Sequence, residues 1–406
     1  MKSNQRMLAL VLTIFLLMSL IMPIIPAYAE AEPQIIGESA VLIEMNSGQV
    51  LWSKNDQIAR PPASTTKIMT ALIALEKGKL TDKVVISKAA TEVEGTRVYL
   101  KVGEKQTLEN LLYAMLLNSA NDAAYAIAEH IGGNVNNFAK LMNAEAKKIG
   151  AVHTHFVTPN GLPADGHYTT AYDLALIART AMQNEKFREI VATKTRPWHG
   201  AAWESTLHNQ NNLLFNYSGT IGVKTGYTSE AKMCLVTAAQ RNGDTYLAVV
   251  LGSSGKNIWT DSEKLLDYAF KNYYTQALAV KGETVAEVKV GKNDLQVTPI
   301  SDLVYLQSRI TPVHPQSKIK ILPVKKSVEK GEKVGEIQYL WKGQEIGKVE
   351  LVAKNSVQKD ITLLDGWLYL TSAVTICLFS GILLKFAKGR KSRGFRRARY
   401  GYKLYN

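Results

Sequence analysis

Six serines of this chain stand three positions ahead of a lysine: Ser64, Ser229, Ser253, Ser317, Ser327 and Ser356. On a helix, positions i and i+3 share a face, so the lysine nitrogen reaches the hydroxyl one turn away. A lysine kept from water beside other cations or donors sheds its proton more readily. Its neutral amine can then take the hydroxyl proton and make the serine oxygen a nucleophile. The same spacing arises from a serine helix cap followed by a solvated lysine, so the pattern alone selects none of the six. Two further short patterns break the tie. Ser119-Ala120-Asn121 and then Lys224-Thr225-Gly226 follow Ser64, and none of the other five serines precedes both.

The elements around these patterns set where they stand. Pro61-Pro62 favour extended chain, and Ile68, Met69, Ala71, Leu72 and Leu75 are spaced to bury one helical stripe, which predicts a helix beginning near Ser64. Residues 38–54 read as a hairpin around Asn46-Ser47-Gly48. Helical pattern then dominates to about residue 150, with helices at 108–117, 123–131 and 135–149, so Ser119 falls between two of them. A Gly/Pro/Asn loop, HFVTPNGLPADGHYTT, leads into another helix that Thr170 and Asp173 cap. Strand pattern returns at 222–224, 234–239 and 246–251, before a last helix at 261–274. Strands on both sides of a helical block predict an α+β domain, an α/β sandwich whose terminal pieces share one antiparallel sheet. Lys224 then lies on a strand. From about residue 277 short alternating runs such as TVAEVKV, KIKILPV and GEIQYLW predict a small all-β domain over 277–358, with a hairpin closing at Lys342-Gly343.

Composition bounds the rest. A chain of 406 residues, 46% hydrophobic and 21% charged, has room for two globular domains. Lys2 and Arg6 precede an apolar run closed by Ala27-Tyr28-Ala29, the order of a secretory signal peptide occupying 1–29. Residues 366–384 carry no charge and are long enough to cross a bilayer, which predicts a transmembrane anchor at 362–385. Nine lysines and arginines without an acid follow, so 386–406 reads as a cytoplasmic tail and 30–276 as an extracytoplasmic catalytic domain. The formal charge of +14 is therefore mostly topology, and no nucleic-acid partner is expected. Cys234 and Cys377 fall in different compartments, and His153 and His155 lack a third ligand, so neither a disulfide, a metal nor another cofactor is expected.

Ser-x-x-Lys, Ser-x-Asn and Lys-Thr-Gly in this order mark the penicillin-recognising serine acyl-enzymes. The surrounding PPASTTKIMTALIALE, LLYAMLLNSANDAAYAIAEH, TPNGLPADGHYTTAYDLALIA and GVKTGYTSEAKMCL resemble their low-molecular-mass D-alanyl-D-alanine carboxypeptidases. The likeness covers roughly 36–355. It implies that Ser64 attacks the penultimate D-alanine carbonyl of a peptidoglycan pentapeptide, Lys67 takes its proton, and Ser119 relays a proton to the leaving amine. It also implies that Asn121 holds the substrate amide, Lys224 and Thr225 meet the terminal carboxylate, and Gly226 keeps the strand edge open. Tyr227 would donate its backbone N–H to the oxyanion beside that of Ser64, and β-lactams would act as inhibitors. The stretch GSSGKNIWTDSEKLL departs from the family by lacking an arginine for that carboxylate; Lys256 is the candidate substitute. Three rivals follow: a β-lactamase, for which the loop offers Asp165 but no glutamate, a cross-link endopeptidase, and an inactive wall-binding scaffold.

Overall fold

In the computed structural model, residues 32–323 and 327–358 are described, and the chain divides into two compact units, up to Tyr273 and from Tyr274 onward. The expected signal peptide, membrane anchor and basic tail lie outside the described residues. Among the described residues, no helix is long and apolar enough to cross a membrane.

The first unit is organised on a five-stranded antiparallel sheet. Its order is Val50–Lys54, Ser39–Glu44, Asp244–Ser253, Lys232–Arg241 and Thr220–Thr228. The two ends of the sequence thus meet: Ser39–Glu44 pairs with Asp244–Ser253, as strands flanking a helical block require. Strand pleating decides what each residue faces. Leu247, Val249 and Leu251 join the core beneath the helical block, whereas Tyr246 points the other way and meets Phe270 of the helix Asn257–Asn272 at 4.9 Å between ring centroids. Both faces of that strand are buried, which is why DTYLAVVLGS is apolar almost throughout.

The helix Lys67–Lys77 lies inside the block and is buried from Lys67 to Ala74. Around it pack Leu108–Leu117, Asn121–Gly132, Val135–Ile149 and Ala171–Ala181. A helix covered on all sides needs apolar residues beyond one stripe, and KIMTALIALEK supplies them. The expected start near Ser64 is refined. Ala63–Thr66 form a 3₁₀ turn, the α-helix proper begins at Lys67, and Ser64 makes no side-chain cap. Thr170 does cap its helix, accepting from the Asp173 amide at 3.0 Å.

Several elements escaped the sequence reading. A helix at Glu185–Ala192 and a strand pair at Thr195–His199 and Glu204–His208 fill the stretch between the loop-led helix and the Lys-Thr-Gly strand. The last helix starts at Asn257, four residues earlier than expected, so Asp261 lies within it and is turned inward. Its carboxylate accepts from the amides of Ile36 (2.9 Å) and Gly37 (2.8 Å) and from the Ser253 hydroxyl (2.8 Å). Asp261→Ala would strand three donors, the buried Gly37 amide and Ser253 hydroxyl among them, and a loss of about 3 kcal/mol is expected in denaturant melts of the purified protein.

The second unit is all-β. Ala286–Val290, Asn293–Pro299, Gln344–Ala353, Lys333–Trp341 and Gln316–Ile321 form one antiparallel sheet over a core that includes Leu295, Val297, Ile337 and Leu351. The hairpin closes at Lys342-Gly343, both with positive φ (49° and 80°), the two-residue turn that matches strand twist.

Candidate active site

The serine turn is wedged between the central helix and the edge strand of the sheet. Ser64 sits on the 3₁₀ turn one helical turn before Lys67, and the Lys67 side chain is fully buried. Its nitrogen donates to Ser64 Oγ at 2.8 Å, Asn121 Oδ1 at 2.7 Å and the Asn160 backbone carbonyl at 2.7 Å. Three oxygens around one nitrogen fix its direction, and one of them is the candidate nucleophile.

Burial holds Lys67 well below its ordinary ammonium value, and the Lys224 charge adds to that, while the Asp122 carboxylate opposes both. An amine that gives up its proton easily at 2.8 Å from a hydroxyl can act as the base of a nucleophilic serine. Lys224 is also buried, donates to the Thr225 carbonyl at 2.9 Å, and is pushed down to about 7 by burial.

Asn121 opens the helix Asn121–Gly132 and is held from both ends: its amide donates to the Thr96 carbonyl at 2.7 Å and its Nδ2 to the Glu94 carbonyl at 2.7 Å. Ser119, two residues earlier, is buried and adopts φ +62°, a left-handed conformation unusual outside glycine. Ala63, just before the serine, is left-handed as well, at +48°. Strained backbone of this kind gathers where side chains must be aimed.

Lys224, Thr225, Gly226 and Tyr227 lie on Thr220–Thr228, the edge strand, with Thr225 buried and the Tyr227 side chain exposed. An added Cβ at Gly226 would stand 2.9 Å from the Ser64 amide nitrogen and 3.1 Å from that of Thr65, so only glycine lets the strand approach the turn. The unpaired side of this strand is a place for an extended peptide to add on. Among the described residues no direct hydrogen bond joins Ser119 or the Lys224 nitrogen to Ser64 or Lys67.

Lys256 is exposed, at the cap of the helix Asn257–Asn272. It follows Asp244–Ser253, which runs parallel to the Lys-Thr-Gly strand two places away in the sheet and ends on the same side. Asp165 lines a different hollow, with Arg60, Tyr168 and Glu230. His155 Nδ1 bonds the Gly166 carbonyl at 2.7 Å.

Two partners of Lys67 were not foreseen. Asn160 acts through its backbone carbonyl, which no residue type announces. Asp122 acts on Lys67 through its charge; an acid in the first turn of the Asn121 helix is the signal that could have found it. Its carboxylate binds the amides of Val98 (3.1 Å), Leu100 (3.2 Å) and Ala123 (2.9 Å), tying the segment behind Asn121 in place.

A half-exposed serine hydrogen-bonded to a buried, easily deprotonated lysine, beside an open strand edge, is the arrangement that serine acyl transfer requires, set here on an α/β sandwich. The D-alanyl-D-alanine carboxypeptidase family of peptidases (S11) matches residues 27–255, and the C-terminal domain family of penicillin-binding protein 5 matches 273–359. D-alanyl-D-alanine carboxypeptidase DacF of Bacillus subtilis is 37% identical over 79% of this chain and 86% of its own length. DacB2 of Mycobacterium tuberculosis is 38% identical over 60% of this chain and 86% of its own. The crystal structure of penicillin binding protein 5 from Haemophilus influenzae superposes with a TM-score of 0.66 at 28% identity, over 81% of this chain and all of that one. The chain belongs to the D-alanyl-D-alanine carboxypeptidase family, since the first match alone spans more than half of it.

Proposed function

We propose that this serine D-alanyl-D-alanine carboxypeptidase removes the terminal D-alanine of peptidoglycan pentapeptides with Ser64 as nucleophile and neutral Lys67 as its base. Attack on the penultimate D-alanine carbonyl forms an acyl-enzyme and passes the hydroxyl proton to Lys67. The nitrogen of the leaving D-alanine takes a proton back through Ser119, and water then releases the shortened peptide. The backbone N–H groups of Ser64 and Tyr227 receive the oxyanion, Asn121 holds the substrate amide, and Lys224 with Thr225 meets the terminal carboxylate. The observation that carries the reading is the 2.8 Å contact between the buried Lys67 nitrogen and Ser64 Oγ, across which the amine, once neutral, accepts the serine O–H while its two hydrogens go to Asn121 Oδ1 and the Asn160 carbonyl. Incubating the purified protein with muramyl pentapeptide and with cross-linked muropeptide dimers tests it. Free D-alanine from the first is expected, and cleavage of dimers alone would make the enzyme an endopeptidase.

The pH dependence follows from the two lysines. Lys67 must be neutral, so kcat/KM rises as pH passes its lowered value. Lys224 must be charged to meet a carboxylate, so kcat/KM falls again as pH rises through about 7. Bound substrate places a negative charge beside Lys224 and favours its ammonium form. The alkaline limb of kcat is therefore expected at higher pH than that of kcat/KM. Superimposed alkaline limbs would remove Lys224 from carboxylate binding.

β-Lactams enter the same acylation. The loop over Lys67 brings the Asn160 carbonyl and not a carboxylate, so no side chain there activates water against the penicilloyl ester. A long-lived acyl-enzyme is expected, and rapid turnover of penicillin would make this a β-lactamase.

The family acts outside the cytoplasm on the wall. Export by residues 1–29 and anchoring by 362–385, with 386–406 inside, is the arrangement that the apolar runs and the basic tail favour. Fractionating cells that express the chain cut before residue 362 tests the anchor: the enzyme should leave the membrane fraction.

A further inference from the structure

We infer that His167 is a positioning residue for the acyl-transfer centre: its imidazole clamps the 157–162 loop to the serine turn and so holds the Asn160 carbonyl on Lys67. This rests on the reading of Lys67 as the base.

The ring bridges two segments. Nδ1 accepts from the amides of Val157 at 2.9 Å and Thr158 at 3.2 Å. A ring nitrogen that accepts from amides carries no hydrogen, so the proton of the neutral imidazole sits on Nε2. Nε2 lies 3.0 Å from Thr66 Oγ1 and donates to it. Thr66 is the last residue of the turn that carries Ser64 and directly precedes Lys67. The loop residues that follow are tied to the same helix. The Pro159 carbonyl accepts from Thr70 Oγ1 at 2.6 Å, and the Asn160 carbonyl accepts from the Lys67 nitrogen at 2.7 Å. Gly161, at φ +83°, runs so close that an added Cβ would fall 1.8 Å from the Ala63 carbonyl oxygen. The loop therefore has no slack against the turn, and the ring fixes its leading end.

The protonation state suits the task. Burial, then the nearby His155, pushes His167 down to about 4, so the ring is neutral at physiological pH. A proton on Nδ1 would point at two N–H donors and open the clamp. The ring is buried against Phe156, with centroids 5.8 Å apart, and His155 is the ionisable neighbour that weighs on it.

The consequence is geometric. The Asn160 carbonyl is one of the two acceptors, with Asn121 Oδ1, that hold the amine hydrogens and so aim the Lys67 lone pair at Ser64. A loop free to shift lets that nitrogen turn away and changes how readily it keeps its proton. His167→Asn retains an acceptor near the Nδ1 position and loses the donor to Thr66. His167→Gln retains a donor towards Thr66 and loses the acceptor for the loop amides. Thr66→Val removes the acceptor of Nε2 and leaves the ring intact.

Acylation of the purified full chain by a fluorescent penicillin, measured across pH beside thermal melts, tests the clamp. Each single variant is expected to acylate about tenfold to a hundredfold more slowly, with a displaced midpoint of the acid limb. Thr66→Val combined with His167→Asn should be no worse than the slower single variant, because both break one link. Wild-type rates and an unmoved acid limb in the variants, whatever their melting temperatures, would overturn the proposal. If the histidine variants do not fold, Thr66→Val decides it by the same two readouts. Failure of the wild type to label, or labelling that survives Ser64→Ala, would instead sink the underlying acyl-enzyme reading.

Discussion

Ser64→Ala is expected to abolish covalent labelling by fluorescent penicillin and to lower D-alanine release by on the order of a millionfold, the scale seen when a nucleophile is deleted from an acyl-transfer enzyme. The fold should survive. Ser64 is only half-buried, and its hydroxyl is one of three oxygens around the Lys67 nitrogen, leaving Asn121 Oδ1 and the Asn160 carbonyl in place. Loss of activity with an unchanged melting temperature therefore assigns the effect to chemistry. Five other serines share the local spacing, so Ser253→Ala makes a pointed control. Its hydroxyl donates to the Asp261 carboxylate at 2.8 Å and not to a lysine, and its loss should cost stability while labelling persists. Labelling that survives Ser64→Ala would place the nucleophile elsewhere.

Lys67→Ala is expected to slow acylation by on the order of 10⁴-fold, the upper range for loss of a general base. Lys67→Arg separates charge from basicity, because guanidinium keeps the positive charge but cannot accept a proton near neutral pH. Both variants should be slow if proton transfer is the role of Lys67. Rapid acylation by the arginine variant would reduce that role to electrostatics. The double variant Ser64→Ala/Lys67→Ala should be no worse than Ser64→Ala alone, since the two groups act as one device.

Much of this was legible in the chain, for reasons that differ by element. The helices at Leu108–Leu117 and Val135–Ile149 were read to the residue, the second because a buried stripe of Phe138, Met142 and Ala146 repeats with helical period, the first because a long apolar run of good helix formers follows the Thr107 cap. The Lys342-Gly343 turn was legible because positive φ at both positions selects few residue types, glycine foremost. The pair Thr195–His199 and Glu204–His208 was not. Each strand buries one side chain in five, Trp198 in the first and Leu207 in the second, so alternation is too faint to register.

The sequence by itself determined which residues could do chemistry: the order of the three motifs singled out Ser64, Lys67, Ser119, Asn121 and Lys224 without any coordinates. Tertiary structure decided what would make the lysine a base. Its complete burial, the nearby Lys224 charge, the Asn160 carbonyl on its nitrogen and the His167 ring behind that loop come from segments scattered between residues 67 and 224. Proton affinity depends on distance and dielectric, which packing sets across long stretches of chain, whereas spacing records only neighbours along it.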